Sequence, residues 1–590
     1  MCGIVACSTH EPVIDYLLLA LRRLEYRGYD SVGVAVRTNT GELATLRTVG
    51  RIGSLDRLVS GWTGAPLGDV GIGHTRWATH GPVTDCNAHP HTDCRGRIAL
   101  VHNGIIENAD ILREALSVTG HQFASSVDSE VLCHLIEDQL DISSDLLDAV
   151  QTALTPVEGS WAIAVVENRT GRIILAANQS PLLVAHTPYG DFASSDIAAI
   201  AEWVDEFQVL EDGDVIELNG VNGHHSQSVG PVIARCDWHS ADVELNGYVD
   251  YMAKEIDEQP VAAARVLDAV GDGVADASLW TDLGLPPFDR LQIIGCGSSL
   301  NAGFAIANLV RRIGGMAVTL TVASEAYDEV VEPRTLCLSI SQSGETADVL
   351  RALDSRPIEG PIVALTNNLH STLARRADAV ITCAAGPEIG VAATKTFVCQ
   401  VIAGVALMIS ALVAEKRVSM KDAIRLVDEL RRMPDRLAAA GTAAKCLVPP
   451  IAEQVSSASG FLFIARGTGL PYAAEGALKL KELTYRWAEH YPAGELKHGP
   501  LALVGDGTPV VVVDNGDAKL PANVAEVTAR GGRVISIGGA SSTIPLDDSL
   551  VPWGPLESVV PMQILARTLA LSRGNDVDKP RNLAKSVTVE

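Results

Sequence analysis

The residue with the most chemistry to offer stands second. Cys2 lies between the initiator Met1 and Gly3, and methionine removal, which tolerates small second residues, would make it the first residue of the chain. Its thiol and a free α-amine then belong to one residue. That amine, with a pKa near ~7.7–8.0, is partly neutral at pH 7 and can serve the thiol as a base. A second-position cysteine alone is more often incidental, so the weight falls on what accompanies it. Hydrolysing a side-chain amide such as glutamine's needs an oxyanion stabiliser, a cation for the α-carboxylate and an anion for the α-amine. Suitable groups follow in order: Arg76, Trp77, Thr79 and His80 in HTRWATHG, Asn103 and Gly104 in VHNGIIEN, and Asp128 in SSVDSEV.

A second kind of chemistry is written further on. ISQSGET, residues 340–346, ends an apolar strand in hydroxyls and a glycine and leads into a helix. Backbone amides at a helix N-terminus together with hydroxyls make such a turn an anion seat, although plain helix capping uses the same residues. The upstream turn GCGSS, with Ser298 and Ser299, is of the same strand-to-helix kind, and ligands of parallel sheets collect at such carboxyl ends.

These residues need scaffolds, and 590 residues suffice for three or four domains. The first ~225 residues alternate short apolar runs with Gly, Asn and Asp turns, the texture of a sheet-rich α+β domain. After about Ile256, strands such as LQIIGCG, LCLSISQSG and PIVALTNN alternate with Ala- and Leu-rich helices, which predicts parallel βαβ units. LQIIGCGSS matches FLFIARGTG and PIVALT matches RVISIG at a common offset, so one α/β module is expected twice. The expected boundaries are 2–225, a linker over 226–255, α/β modules over 275–415 and 448–580, and a tail over 581–590.

Bulk properties narrow the partners. A net charge of -26 and a pI near 5.0 argue against a nucleic-acid or anionic-membrane surface. The eleven cysteines show no CxxC pair and no zinc-type spacing, and they read as reduced thiols of a cytoplasmic protein. His89 and His91 in HPH invite a chelate, but no third ligand stands at ligand spacing, so no metal is expected. The N-terminus lacks the pattern of a secretory signal. Phe397–Ala414 is apolar and about long enough for a membrane span, yet its alanines, Gln400 and Ser410 favour a buried helix.

MCGIVA, LRRLEYRGYDSVG, HTRWATHG, NAHPH, VHNGIIEN and SSVDSEV resemble the motifs of the class II glutamine amidotransferases, whose glutaminase domain is an N-terminal-nucleophile hydrolase, an αββα sandwich. The resemblance implies Cys2 as nucleophile, Asn103 and the Gly104 amide as oxyanion hole, Arg76 and Asp128 at the two ends of glutamine, and Trp77, Thr79, His80 and Gly81 around the pocket. The later half resembles two sugar isomerase (SIS) domains, doubly wound parallel sheets. With KEIDEQP, AGPEIGVAATK, EGALKLKELTY, GELKHGPLAL and DVDKPRNLAKSVTVE, the whole chain is similar to the isomerizing glutamine–fructose-6-phosphate aminotransferase family.

Membership would imply a cofactor-free conversion of fructose 6-phosphate and glutamine to glucosamine 6-phosphate and glutamate, the first step toward UDP-N-acetylglucosamine. Lys585 would form a Schiff base with the sugar, Glu482 would move the proton, His498 would open the ring and Lys479 would assist. Ser298, Ser299, Ser341, Gln342, Ser343, Thr346 and Val391 would hold the sugar phosphate. Ammonia would pass along a sealed channel gated by Trp77 and lined by the tail, and the SIS half would form a homodimer in which His498 reaches the partner's site.

The sequence departs from the family's usual wording at Ser298, at Ala326–Asp328, where an aromatic-basic pair is replaced, and at Ala393, which lacks a hydroxyl. Those departures leave open an enzyme that aminates another sugar phosphate. A sugar-phosphate sensor with a vestigial glutaminase is a further alternative.

Overall fold

The computed structural model describes residues 2–219, 223–224, 233–236, 244–356, 360–547 and 550–588. Part of the expected linker, 226–232 and 237–243, lies outside the described residues, as do 589–590 of the tail. Two compact units result: Met1–Glu244 together with Ala584–Glu590, and Leu245–Leu583.

In the first unit the strand period of two dictates the layering. Along Gly3–Thr9, Ile4 and Ala6 share one apolar cluster while Val5 and Cys7 share another, so both faces of the strand are covered. Val5 and Cys7 pack with Leu17, Leu21 and Leu24 of the helix Ile14–Leu24. Ile4 and Ala6 meet Ala99, Val101, Ala162 and Ala164 from a second sheet. The far side of that sheet, with Leu100 and Ile163, packs on Val131, Ile136 and Val150 from the helices Glu130–Ile142 and Leu146–Ala153. Helix, sheet, sheet and helix follow in sequence: the expected αββα sandwich, with eight strands in one sheet and six in the other.

The second unit contains two five-stranded parallel sheets. Their spatial orders are Ala317–Val322, Arg290–Gly295, Thr335–Ser341, Ile362–Thr366, Ala379–Thr382, and Trp487–Pro492, Gly460–Ala465, Pro509–Val513, Arg533–Gly538, Ile544–Pro545. Each sheet therefore runs second, first, third, fourth, fifth in chain order, so the suspected duplication extends to topology. In both, the order reverses between the first and third strands, where the loops leaving their carboxyl ends diverge and leave a crevice. Loops 295–299 and 341–346 leave that point in the first sheet.

The apolar segment singled out as a possible span is the helix Lys395–Ala414. By length and composition it could cross a membrane, with a hydropathy of 2.4, but 89% of that stretch is buried inside the protein. Its residues from Phe397 to Leu412 are core, sharing a cluster with Ala302, Ile306 and Val310 of the helix Gly297–Gly314. At the other end of the chain, the β-prone tail forms no strand among its described residues.

Candidate active sites

In the first unit the register of two sheets brings distant motifs to one place. Gly3 pairs with Thr75, which sets Cys2 beside the end of the strand Leu67–Arg76. The Trp77 amide donates to Cys2 Sγ at 3.3 Å, and the thiol can donate to the Trp77 carbonyl at 3.4 Å. Burial pushes the thiol pKa up; the N-terminal charge, the Trp77 amide and Arg76 pull it back, and Asp128 adds to the rise. A cationic substrate contact or proton acceptor is thus needed to make the thiolate.

Asn103 lies on the strand Ile98–Ile106, and its Nδ2 donates to the Cys2 carbonyl at 3.2 Å. What aims it is His74. The His74 Nε2 lies 3.0 Å from the His102 carbonyl and 3.1 Å from Asn103 Oδ1. A carbonyl can only accept, so Nε2 carries the proton, Oδ1 is the amide's acceptor end, and the donor Nδ2 is left facing Cys2. Burial drives the His74 pKa down to about 3, which keeps the ring neutral. The next residue, Gly104, has φ +130, and a Cβ there would sit 2.0 Å from the Ser160 carbonyl, so no other residue fits.

Arg76 is buried, its Nη2 donates to the His80 carbonyl, and its Nη1 has no partner. A buried guanidinium with a spare N–H is suited to a carboxylate. Asp128 is buried with Oδ2 accepting the Ile106 amide at 2.9 Å. Trp77 is half-buried, edge-on to Tyr29, whereas Thr79, His80 and Gly81 form an exposed rim. Gly28 lets this segment close up: a Cβ there would lie 2.6 Å from the Arg76 backbone. His89 stacks on His74, and burial holds the pKa values of His89 and His91 low.

In the second unit the anion seat is built as a turn folded on its own hydroxyls. Ser341 Oγ lies 2.9 Å from Thr346 Oγ1 and accepts the Gly344 amide at 3.0 Å, while Ser343 Oγ accepts the Glu345 amide at 3.1 Å. Gly344, at φ +67, sits where a Cβ would come within 1.9 Å of Ser371 Oγ. The Gln342 carbonyl accepts the Asn367 amide at 3.1 Å, and Thr346 opens the helix Ala347–Asp354. Ser299 Oγ accepts from Gln400 at 3.0 Å. Val391 is held through its amide, which donates to the Asp578 carbonyl at 2.9 Å. Asp578 in turn accepts the Tyr251 and Met252 amides, and Glu255 accepts those of Ile389 and Gly390. The KEIDEQP and DVDKP motifs thus fix the loop that carries Val391.

Lys479 and Glu482 lie one turn apart on the helix Leu470–Thr484, with Nζ 2.6 Å from Glu482 Oε2. Burial works to lower the Lys479 pKa, but Glu482 and Glu475 outweigh it and the net shift is upward. Glu475 was not foreseen. It is fully buried, lies 3.5 Å from Lys479 Nζ, and accepts from Ser298 at 2.8 Å and Asn301 at 2.9 Å. The Ser298 hydroxyl is therefore engaged between the two repeats. Burial raises the Glu475 pKa despite the nearby lysine. Its signal was in the sequence: positions 475, 479 and 482 share one helical face. His74 was missed too, although it begins the HTRWATHG motif.

His498 is exposed at the end of the turn Ala493–His498, and no hydrogen bond or ion pair among the described residues joins it to Lys479 or Glu482. Lys585 groups with the first unit. Ala326–Asp328 lies in a surface turn with Tyr327 exposed, and Ala393 is half-buried.

Comparison with known proteins agrees with this layout. A glutamine amidotransferase domain family matches residues 74–202, and the SIS domain family matches 287–410 and again 455–548. The glutamine–fructose-6-phosphate aminotransferases [isomerizing] of Thermus thermophilus and Halobacterium salinarum are 42% and 41% identical, each aligned over 100% of both chains. Among solved structures, the C-terminal domain of glucosamine-fructose-6-phosphate aminotransferase from Francisella tularensis superposes with a TM-score of 0.52 at 33% identity, over 57% of this chain and 99% of that one.

Proposed function

Because this chain belongs to the isomerizing glutamine–fructose-6-phosphate aminotransferase family, we propose a residue-by-residue division of labour for its synthesis of glucosamine 6-phosphate from fructose 6-phosphate and glutamine. In the first unit Cys2 Sγ attacks the glutamine side-chain carbonyl, with the α-amine freed by methionine removal taking the thiol proton. Asn103 Nδ2 and the Gly104 amide receive the oxyanion, Arg76 Nη1 holds the α-carboxylate and Asp128 the α-ammonium. Thr79, His80 and Gly81 form the rim over the substrate. The adduct collapses with cleavage of the C–N bond, the Cys2 α-ammonium returning its proton to the leaving ammonia, and water then hydrolyses the thioester to glutamate and free Cys2. The observation that carries this half is the aim of Asn103: His74 fixes its acceptor end, which leaves the donor end at Cys2.

In the second unit Ser341, Gln342, Ser343 and Thr346 hold the sugar phosphate, with Ser299 and Val391 beside them and Ser298 acting through Glu475. Lys585 forms the Schiff base with the sugar carbonyl, Glu482 moves the proton between the two carbons, and Lys479 keeps Glu482 in place. Ammonia becomes ammonium in water, so its transfer is shielded, with Trp77 as gate and the tail as lining. An exposed His498 suits a ring-opening group offered to a second copy, in a cytoplasmic homodimer formed through the second unit.

Purified protein given glutamine and fructose 6-phosphate is expected to yield glucosamine 6-phosphate and glutamate. Lys585→Ala should stop amino-sugar formation while basal glutamine hydrolysis continues. Undiminished amino sugar from that variant would remove the Schiff-base role from Lys585.

A further inference from the structure

Away from Cys2, four side chains from three separate stretches of the first unit converge: Cys94, His121, His134 and Glu137. Their potential ligand atoms all lie within 4.8 Å of one another. Cys94 Sγ is 3.7 Å from His121 Nδ1 and 3.5 Å from His134 Nδ1. Glu137 Oε2 is 3.2 Å from His121 Nδ1 and 3.4 Å from His134 Nδ1. A tetrahedral zinc ion with ordinary bond lengths requires about 3.6 Å between sulfur and nitrogen and about 3.3 Å between nitrogen and oxygen. The four sulfur–nitrogen and nitrogen–oxygen edges, 3.2–3.7 Å, lie close to those figures.

The surroundings hold each ligand by its far side, as metal sites do. His121 Nε2 lies 2.9 Å from Asp138 Oδ1, which orients the ring so that Nδ1 faces the cluster. Glu137 Oε1 lies 3.6 Å from both Arg95 Nε and Arg97 Nη2, leaving Oε2 turned inward. The Gln122 amide points at Cys94 Sγ from 3.5 Å and helps to hold the sulfur in place. His134 and Glu137 are buried and Cys94 is exposed, so the cluster has a fixed floor and a route of entry from solvent.

We propose that Cys94, His121, His134 and Glu137 bind one zinc ion in a closed four-coordinate site with a structural role. Cys94 precedes the strand Ile98–Ile106, which carries Asn103 and Gly104, and His134 and Glu137 lie on the helix Glu130–Ile142 just after Asp128. The ion ties the oxyanion strand to the element that follows the α-amine contact. No adjacent pair announces it, because the ligands are spread over forty-odd residues and only His134 and Glu137 share a helical face.

The test uses the full-length protein, stripped with chelator and dialysed against Zn²⁺ or Co²⁺. One zinc per chain is expected, with a thiolate-to-cobalt charge-transfer band, tetrahedral d–d absorption, and a melting temperature raised by Zn²⁺. Cys94→Ser should lose the charge-transfer band and the zinc-dependent melting shift, while Cys86→Ser, a second exposed cysteine, keeps both. Asp138→Asn should weaken zinc binding by about 10–100-fold. Wild-type protein that takes up no zinc, or cobalt that binds without a thiolate band, would overturn the site. So would Cys94→Ser binding zinc as tightly as wild type.

Discussion

The two parallel sheets of the second unit share a strand order but not a chemistry. After the third strand of the first sheet the chain reads Ser341, Gln342, Ser343 and Gly344, hydroxyls gathered round backbone amides. After the third strand of the second sheet it reads Asp514, Asn515, Gly516 and Asp517, and the loop turns its donors inward. Asn515 donates to the Arg466 carbonyl and to Thr468, Gly516 donates to Asp514, and Arg466 pairs with Asp517 at 3.4 Å. One loop can welcome a phosphate; the other meets it with two carboxylates.

The first helices differ in the opposite sense. Gly297–Gly314 contributes hydroxyls near its start, whereas Leu470–Thr484 carries Glu475, Lys479 and Glu482. Under the proposed assignment the two copies of the crevice divide binding from proton transfer, and Glu475 joins them through Ser298 and Asn301.

Several substitutions would break or sharpen this contrast. The largest effect is expected from Glu482→Gln, which should lower the rate of amino-sugar formation about 10²–10⁴-fold and leave glutamine hydrolysis running. A small loss would mean that the second repeat does not hold the proton-transfer group. Next, combined Ser341→Ala and Thr346→Ala changes remove hydrogen bonds to a charged ligand, each worth about 1.5–3 kcal/mol, and should raise KM for fructose 6-phosphate about 100-fold or more. Asn515→Ala in the equivalent loop of the second repeat should leave that KM unchanged; a matching rise would erase the distinction.

The contrast recurs before the long helix of each repeat. Gly386 and Pro387 precede Glu388, whose Oε1 accepts the Thr394 and Thr396 amides. Gly554 and Pro555 precede Glu557, which is buried with neither oxygen partnered. Burial raises its pKa from 4.5 to about 6. Between those values the folded chain binds more protons than the unfolded one, so stability falls as pH rises through the window and returns on acidification. Glu557→Gln should flatten that dependence and stabilise the protein above pH 6 by about 2 kcal/mol, read by denaturant unfolding at pH 5 and pH 7.5. A comparable effect is expected from Ser298→Ala, which leaves Glu475 Oε1 short of a donor and should cost about 1–3 kcal/mol of stability.

What was legible in the sequence follows from what sets each contact. Strand texture and spaced motifs reveal the sandwich and the repeated sheets, because side-chain period and loop chemistry are local. The gathering of Cys2, Arg76, Asn103 and Asp128 was legible only as a set of matching needs, since sheet register brings them together. His74 escaped because an imidazole that positions a neighbour looks like any core histidine. Glu475 escaped because its partners come from the other repeat. No metal is expected from the sequence because no ligands stand at short spacing; Cys94, His121, His134 and Glu137 come together only through the fold.

The central claim is that nitrogen is released at Cys2 and used in the second unit. Its most direct test is amino-sugar synthesis by Cys2→Ala, measured with glutamine and then with high ammonium in its place. The expected result is no glutamate and no glucosamine 6-phosphate with glutamine, and measurable glucosamine 6-phosphate with ammonium. Continued glutamine hydrolysis by Cys2→Ala would contradict it.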